Sequence, residues 1–243
     1  MHSVEAEDRY PTVSLSGYWY RLIPSRFPTI DIYRRVAPRS LWPLASVVET
    51  ATNPRVRLKE KLTKGCDTPD TIPPKLQNWN HAPFAYRNPA GSRFLGPDYG
   101  VLELADTIQT ALAVSVRKRE AFLGDAAMPP LDIEMRVLKH EVKGPFIDVT
   151  TLPIDAPEDE RWRLGARLLE QGARGARFRW PDRPAGYGIA VFDGDLLGPA
   201  IQTQHYKFRW DGERIHEIYS FRDDADGRPI MTEDVFSEGP LPA

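Results

Sequence analysis

Three charged side chains lie in stretches of this sequence that are otherwise apolar or tightly turning, and they are the first candidates for chemistry. Arg21 interrupts the aromatic run YWYRLI, Arg93 follows the GS of GSRF, and Glu103 stands inside GVLELA. A buried charge needs a partner or a cleft, because burying it alone is costly. Guanidinium groups suit bidentate capture of phosphate or carboxylate. For each arginine two interpretations stay open, an anion-binding group or the partner of a structural acid.

The common catalytic and metal-binding patterns are missing from the sequence. It has no phosphate loop of the GxxxxGK type, no GxGxxG after a strand and no GxSxG. The five histidines show no ligand spacing, and the single cysteine, Cys66, cannot complete a zinc site. His205 and His216 fall on predicted strands, where structural roles are favoured. We therefore expect no metal site and no required cofactor.

Length, charge and composition favour one ordinary globular domain. The chain has 243 residues and a formal net charge of −2, which gives no electrostatic reason to expect nucleic-acid binding. No apolar run approaches membrane-spanning length, and the N-terminus lacks the apolar core of a signal peptide. One cysteine excludes intrachain disulfides. We expect a cytoplasmic protein without a membrane segment, and the sequence leaves its oligomeric state open.

The elements that must position the charged residues mix strands and helices, which predicts an α+β fold with a mixed sheet. A long stretch rich in proline, glycine and asparagine, residues 65–98, is predicted to be an ordered loop. The predicted strands are residues 17–23, 99–105, 131–142, 146–149, 176–180, 187–193, 205–210 and 214–221. The main predicted helices are residues 40–52, 107–122 and 157–172.

The central strand and the helix after it receive the most detailed prediction. Asp106 is expected to cap the helix, with Gln109 completing a capping box. One apolar helix face is predicted to contain Ile108, Ala111, Leu112, Ser115 and Phe122. A single domain is expected over residues 1–243, with its core at about 17–221 and peripheral tails at 1–16 and 222–243.

Several segments, in this order and spacing, resemble the longer branch of the RES-domain family. They are YWYRLIPSRFPTIDIYRRVA, TNPRVR, GSRFLGPDYGVLELADTIQTALA, REAF, PPLDIEMRV, GARFRWPDRPAGYGIAVF and YKFRWDGERI. The resemblance implies a compact fold similar to ADP-ribosyltransferases. Active members are bacterial toxins that break the nicotinamide–ribose bond of NAD⁺ by hydrolysis or phosphorolysis. A helix-turn-helix antitoxin usually neutralises them.

The family takes its name from an Arg, a Glu and a Ser, and this chain keeps only part of that pattern. The resemblance places the family arginine at Arg21 and a second arginine at Arg93. It places a tyrosine at Glu103, the family glutamate at Val114 and the family serine at Trp180. The family arginine that tends to follow this serine corresponds to a position near Asp182. Valine can neither accept a hydrogen bond nor stabilise positive charge.

Three hypotheses follow from these replacements. The first is a pseudoenzyme that binds a nucleotide, an antitoxin or a related RES protein. The second is an active NAD⁺ glycohydrolase or phosphorylase with a rebuilt site of Arg21, Arg93 and Glu103, in which Glu103 faces Arg21; the alternative role of Glu103 is a structural ion pair with either arginine. The third is a binding module in which Trp180 and Tyr187 form a stacking platform. Ordinary core packing is the competing interpretation of Trp180.

Overall fold

The computed structural model describes residues 10–25, 78–221 and 228–241. The predicted helix at 40–52 and Cys66 lie outside these residues. The strands are β1 (Thr12–Pro24), β2 (Leu102–Ala105), β3 (Leu131–Asp148), β4 (Gly175–Arg179), β5 (Tyr187–Val191), β6 (Leu197–Trp210), β7 (Ile215–Ser220) and β8 (Ile230–Met231). The helices are α1 (Asn78–Ala85), α2 (Ile108–Asp125), α3 (Glu158–Glu170) and α4 (Thr232–Phe236), and a 3-10 turn spans Gly194–Leu196.

All eight strands belong to one mixed sheet, which confirms the predicted α+β class. Their order is β1-β2-β5-β4-β3-β6-β7-β8, and β1 also pairs with β3. The first five therefore close a ring, and β6, β7 and β8 extend from β3. The β3–β4 pairing is parallel and the others are antiparallel.

The long strand β3 organises this sheet and corrects one prediction. The segments 131–142 and 146–149, predicted as two strands, form the single strand β3, which ends at Asp148. It pairs with β1 from Pro24↔Met135 to Thr12↔Ile147, and β6 lies along its other side. Because β1 pairs from Thr12 onward, its first residues are part of the sheet and the predicted N-terminal tail at 1–16 is too long.

The N-cap of helix α2 lies one residue after the predicted cap, Asp106. Thr107 is the N-cap, and its hydroxyl accepts a hydrogen bond from the Thr110 amide at 3.1 Å. The Asp106 carboxylate instead accepts from the Tyr187 amide at 3.0 Å, so it ties the helix start to β5. Phe122 keeps the helical register of Ala111, three turns earlier, yet 61% of it is exposed. Its predicted place on the apolar face of the helix therefore does not bury it.

Two further predictions are wrong in part, one about the loop at residues 65–98 and one about the C-terminal tail. Residues 78–85 of the predicted loop form α1, and Pro83 inside this helix explains why the composition suggested irregular structure. Residues 230–236 form β8 and α4 and are not a peripheral tail. Val235 is fully buried, and the Gln109 side chain donates to carbonyls of the C-terminal segment, with the shortest contact at 2.9 Å to Gly239.

Helix α2 is buried on two sides, and this fixes which of its residues face the site. Leu112 and Val116 pack into an apolar cluster with Phe208. Ala111 and Val114 pack into a second cluster, formed largely by α3, β4 and β5. Apolar burial on both sides leaves the helix little freedom to rotate.

Candidate functional site

The candidate site is the gap where β1 and β2 separate. The two strands pair at one position, Tyr20↔Ala105, and then diverge. The gap is a cavity of about 370 Å³. Its walls are β1, β2, one face of α2, the end of α1 and the segment between α1 and β2. The lining includes Tyr20, Arg21, Tyr86, Ser92, Tyr99, Glu103, Ala111, Val114, Ser115, Lys118, Arg119 and Trp180. Arg21, Glu103, Val114 and Trp180, which the sequence singled out, thus line one cavity.

Glu103 is an ionised acid held by Lys118 and by the Arg93 backbone amide, and not by a guanidinium. Its carboxylate accepts from the Lys118 ammonium at 3.0 Å and from the Arg93 amide at 2.7 Å. Burial works to raise the pKa of Glu103, but the Lys118 charge and the Arg93 amide outweigh it, so the pKa lies below its ordinary value. The salt bridge is with Lys118, not with Arg21 or the Arg93 guanidinium.

Strand geometry explains why Glu103 does not face Arg21 across the gap. Tyr20 is the residue paired with Ala105, so those two side chains share a sheet face. Side chains alternate along a strand, so Glu103 lies on the face of Ala105. Arg21, next to Tyr20, starts from the opposite face. The expectation that Glu103 faces Arg21 is therefore wrong, although both line the cavity.

Arg21 is a cation with little compensation. One guanidinium nitrogen donates to the Trp79 carbonyl at 3.2 Å, and the buried Nε has no hydrogen-bond partner among the described residues. Burial lowers the pKa of Arg21 to about 10. Burial, followed by the Arg21 charge, lowers the pKa of His140 to about 3, so that ring is neutral and bonds Asn80 at 2.7 Å.

Arg93 lies beside the cavity and not in its lining. Its guanidinium donates to the Ile154 carbonyl at 2.9 Å and sits 5.4 Å from the Phe178 ring centre. Burial and then Arg161 lower its pKa to about 10, against the opposing charges of Glu103 and Asp182. Its backbone amide, not its side chain, reaches the cavity acid.

Val114 and Trp180 close the apolar end of the cavity. Val114 is 8% exposed and Trp180 5%. The Trp180 ring packs edge-on against Phe178 with centroids 4.8 Å apart, and Gly188 leaves the space for its indole. Trp180 is therefore core packing that also forms a cavity wall.

Tyr187 does not join Trp180 in a stacking platform. Its ring lies beneath the guanidinium of Arg177 at 4.1 Å and that of Arg179 at 4.8 Å, outside the cavity lining. These contacts are intramolecular, so they occupy the ring that the binding-module hypothesis requires.

Sequence reasoning missed the cations on α2. Ala111, Ser115, Lys118 and Arg119 recur at helical spacing and share the cavity face. That spacing was visible in the sequence, since the apolar face of the helix turns charged after Val116. Tyr86 and Tyr99 were not identifiable, because they lie in irregular segments whose path the sequence does not define.

Comparison with known proteins identifies the family. The family model for the RES domain matches residues 69–211, more than half of the chain. The chain belongs to the RES-domain family. The uncharacterized protein y4oC of Sinorhizobium fredii (strain NBRC 101917 / NGR234) is 45% identical over 221 residues, which are 91% of this chain and 94% of that protein.

A weaker likeness exists to a solved structure. A chain in the crystal structure of the M. tuberculosis MbcT–MbcA toxin–antitoxin complex matches with a TM-score of 0.43 and 12% identity, over 79% of this RES chain and 86% of that chain. The family assignment does not depend on it. In the described part of the RES chain, no helix is long and apolar enough to cross a membrane. The same residues contain no group of three or more His, Cys, Asp or Glu that could hold a metal ion.

Proposed function

We propose that this chain is a catalytically impaired RES protein whose cleft between β1 and β2 binds a nucleotide. The observation that carries the proposal is the composition of one cavity. Arg21 lines it as an under-compensated cation, while Val114 lines it where the family resemblance implies a carboxylate. The cavity thus offers anion binding without a free acid.

The chemistry implied by the resemblance requires such an acid. Cleaving the nicotinamide–ribose bond develops positive charge on the ribose, and a carboxylate stabilises it. Loss of one charge-stabilising group commonly costs about 10²–10³ in rate. Glu103 does not replace it freely, because its two hydrogen bonds and the Lys118 charge already compensate its negative charge.

Binding and turnover of NAD⁺ test this proposal separately. Binding is measured by calorimetry, and nicotinamide release by chromatography with and without phosphate. We expect binding without turnover, and at least tenfold weaker binding by Arg21→Ala. Arg163→Ala is the matched control, since Arg163 lies on α3 with 72% of its side chain exposed and is paired with Asp159. Absence of binding would refute the nucleotide cleft.

A gain of activity would support the lost-acid explanation. Val114→Glu places a carboxylate on the cavity face of α2, and Val114→Gln is the uncharged control of similar size. We expect nicotinamide release from the glutamate variant alone. If the native protein already releases nicotinamide at rates typical of enzymes, the impairment is refuted.

A second candidate function is an active NAD⁺ glycohydrolase or phosphorylase that uses Glu103. The observation in its favour is that Glu103 lines the same cavity as Arg21 and is held ionised. In that case Glu103→Gln abolishes native turnover while NAD⁺ binding persists. If the native protein releases no nicotinamide from NAD⁺, this candidate is eliminated.

A protein partner is proposed on the family resemblance alone. The candidates are a helix-turn-helix antitoxin or a related RES protein. Co-expression with the product of the neighbouring gene, followed by size-exclusion chromatography, tests for a stable complex. Elution of the two chains as separate species would count against that partner.

A further inference from the structure

One peptide group in the cavity wall connects the cavity acid to helix α3. The amide of Arg93 donates to the Glu103 carboxylate at 2.7 Å, and the carbonyl of Ser92 accepts from the Trp162 indole at 2.9 Å. This N–H and this C=O belong to the same peptide group, the one between Ser92 and Arg93. Because the group is planar and trans, its N–H and C=O point in opposite directions, and fixing one end fixes the direction of the other.

The Trp162 ring packs against the turn that contains this peptide group. A Cβ on Gly91, whose φ is +70°, would lie 2.6 Å from the Trp162 ring, and a Cβ on Gly96 would lie 3.5 Å from it. Glycine at these two positions therefore lets the indole approach the backbone closely enough to reach the Ser92 carbonyl. Ser92 and Glu103 line the cavity and Trp162 does not, so the indole acts on the cavity from outside.

Helix α3 and the turn are fixed against each other, which gives Trp162 a rigid base. A Cβ on Gly165 would collide with the Phe94 carbonyl oxygen, so helix and turn are in direct backbone contact. Arg161 donates to the Arg93 carbonyl at 3.1 Å. Phe94 is fully buried, and close packing around it leaves the turn little freedom to move away from α3.

The ionisation of Glu103 depends on few groups, and the Arg93 amide is one of them. Burial raises the pKa of Glu103, while the Lys118 charge, the Arg93 amide and, more weakly, the Arg93 guanidinium lower it. Arg161 of α3 and Asp182 after β4 act on the Arg93 guanidinium. The other titratable groups in the described lining are Arg119 on α2, Arg21 and Tyr20 on β1, and Tyr86 and Tyr99 before β2.

We propose that Trp162 is a positioning residue for the cavity acid: its indole N–H fixes and polarises the Ser92–Arg93 peptide group, whose amide then donates to Glu103. Hydrogen bonds linked in such a chain strengthen one another. The inference goes beyond the proposed function and does not depend on nucleotide binding, because its readout is the ionisation of Glu103. It gives a residue outside the cavity an influence on the charge of one cavity wall.

A pH titration of the Glu103 carboxyl carbon by NMR tests the inference in the full-length protein. Trp162→Phe keeps an aromatic ring beside the turn and removes the indole donor. Trp210→Phe is the matched control, because the Trp210 indole also donates to a backbone carbonyl at 2.9 Å, that of Met128, and neither residue lines the cavity. Glu103→Gln assigns the carboxyl resonance, and thermal melts show whether each variant is folded.

We expect Trp162→Phe to raise the pKa of Glu103, which lowers its acid dissociation constant about two- to fivefold, because the Arg93 amide loses part of a charge-assisted hydrogen bond. Trp210→Phe should leave this constant unchanged. A second measurement needs no change at Trp162. In the native protein the Trp162 indole N–H resonance should shift with pH at the Glu103 midpoint, and Glu103→Gln should remove that shift.

Three results would overturn the inference. An unchanged Glu103 titration in folded Trp162→Phe would show that the peptide group keeps its direction without the indole. An equal rise of the pKa in Trp210→Phe would indicate general loosening of the fold. If Trp162→Phe does not fold, a native Trp162 indole resonance that does not follow the Glu103 midpoint refutes the link. Absence of NAD⁺ binding would refute the nucleotide cleft and leave this inference standing.

Discussion

The Lys118–Glu103 salt bridge should be a stabilising interaction of measurable size. The two charged atoms are 3.0 Å apart, with 13% of the Glu103 side chain exposed and 58% of the Lys118 side chain exposed. Exposed pairs contribute about 0.2–1 kcal/mol, whereas breaking a buried pair costs about 3–5 kcal/mol. The half-exposed lysine places this pair between those limits, so we expect a coupling of about 1–2 kcal/mol.

A double-mutant cycle isolates that coupling. Lys118→Met keeps the aliphatic stem, Glu103→Gln keeps the shape of the acid, and the double variant removes both charges. The free energy of unfolding is measured in urea at pH 7 for all four proteins. Because Lys118→Met leaves a buried carboxylate behind, it should be more destabilising alone than together with Glu103→Gln.

Lys118→Met should also change how the stability of the protein depends on pH. The Glu103 pKa is depressed in the native protein, so its ionisation stabilises the fold above the ordinary glutamate pKa and loses that contribution as pH falls. Without Lys118, burial is opposed only by the Arg93 amide and charge, so the pKa of Glu103 should rise. Additive effects of the two single changes, within about 0.3 kcal/mol, would refute this account of the acid.

Three further predictions concern the scaffold of the cleft. Gly188→Ala should lower the free energy of unfolding by about 1–3 kcal/mol, because the new Cβ would lie 2.5 Å from Trp180 and Phe178. Gly124→Ala is the control, since open space surrounds that position and the change should not destabilise the protein; urea unfolding measures both variants. His140 is neutral when folded but takes up a proton when unfolded, so native stability should fall by about 1.6 kcal/mol from pH 6.5 to pH 5, and His140→Gln should remove most of that slope. Gln109→Glu should turn a carboxylate toward the C-terminal carbonyls and expose that segment to limited proteolysis, while equal protease resistance would contradict the anchoring role of Gln109.

The fold was predictable where apolar patterning is strong. It was less predictable where backbone hydrogen bonds determine the position of an element. The alternation and turn residues predicted β4, β5 and β7 close to their observed bounds, and the hairpin turn signal Asp211-Gly212 connects β6 to β7, with Gly212 at φ +108°. Strand β6 begins at Leu197, eight residues before the predicted strand at 205–210. The C-terminal helix was missed because it is short and has only two apolar residues in the core, and carbonyls of Asp234 and Ser237 that accept from Gln109 and Arg183 also hold it. Carbonyl acceptors are the same in every residue and leave no trace in the side-chain pattern.

The candidate site was also predictable only in part: its residues were, but their contacts were not. Family resemblance brought Arg21, Glu103, Val114 and Trp180 together, and the structure places all four on one cavity. Sequence reasoning chose the wrong partner for Glu103, because the strand pairing at Tyr20↔Ala105 decides which face of β1 carries Arg21. A register error of one residue moves a side chain to the other face.

The sign of the uncompensated charge in the cavity, more than the loss of one acid, distinguishes this site. A cavity built to stabilise positive charge on a ribose needs a carboxylate that is free to do so. Here the one acid in the described lining accepts two hydrogen bonds and forms a salt bridge, while Arg21 and Arg119, which also line the cavity, form no ion pair with an acid among the described residues. The uncompensated charge is therefore positive, which favours an anionic ligand and opposes a developing cation. The proposed binding without cleavage would follow from that sign, and Val114→Glu tests the proposal because it adds a negative charge to the same lining.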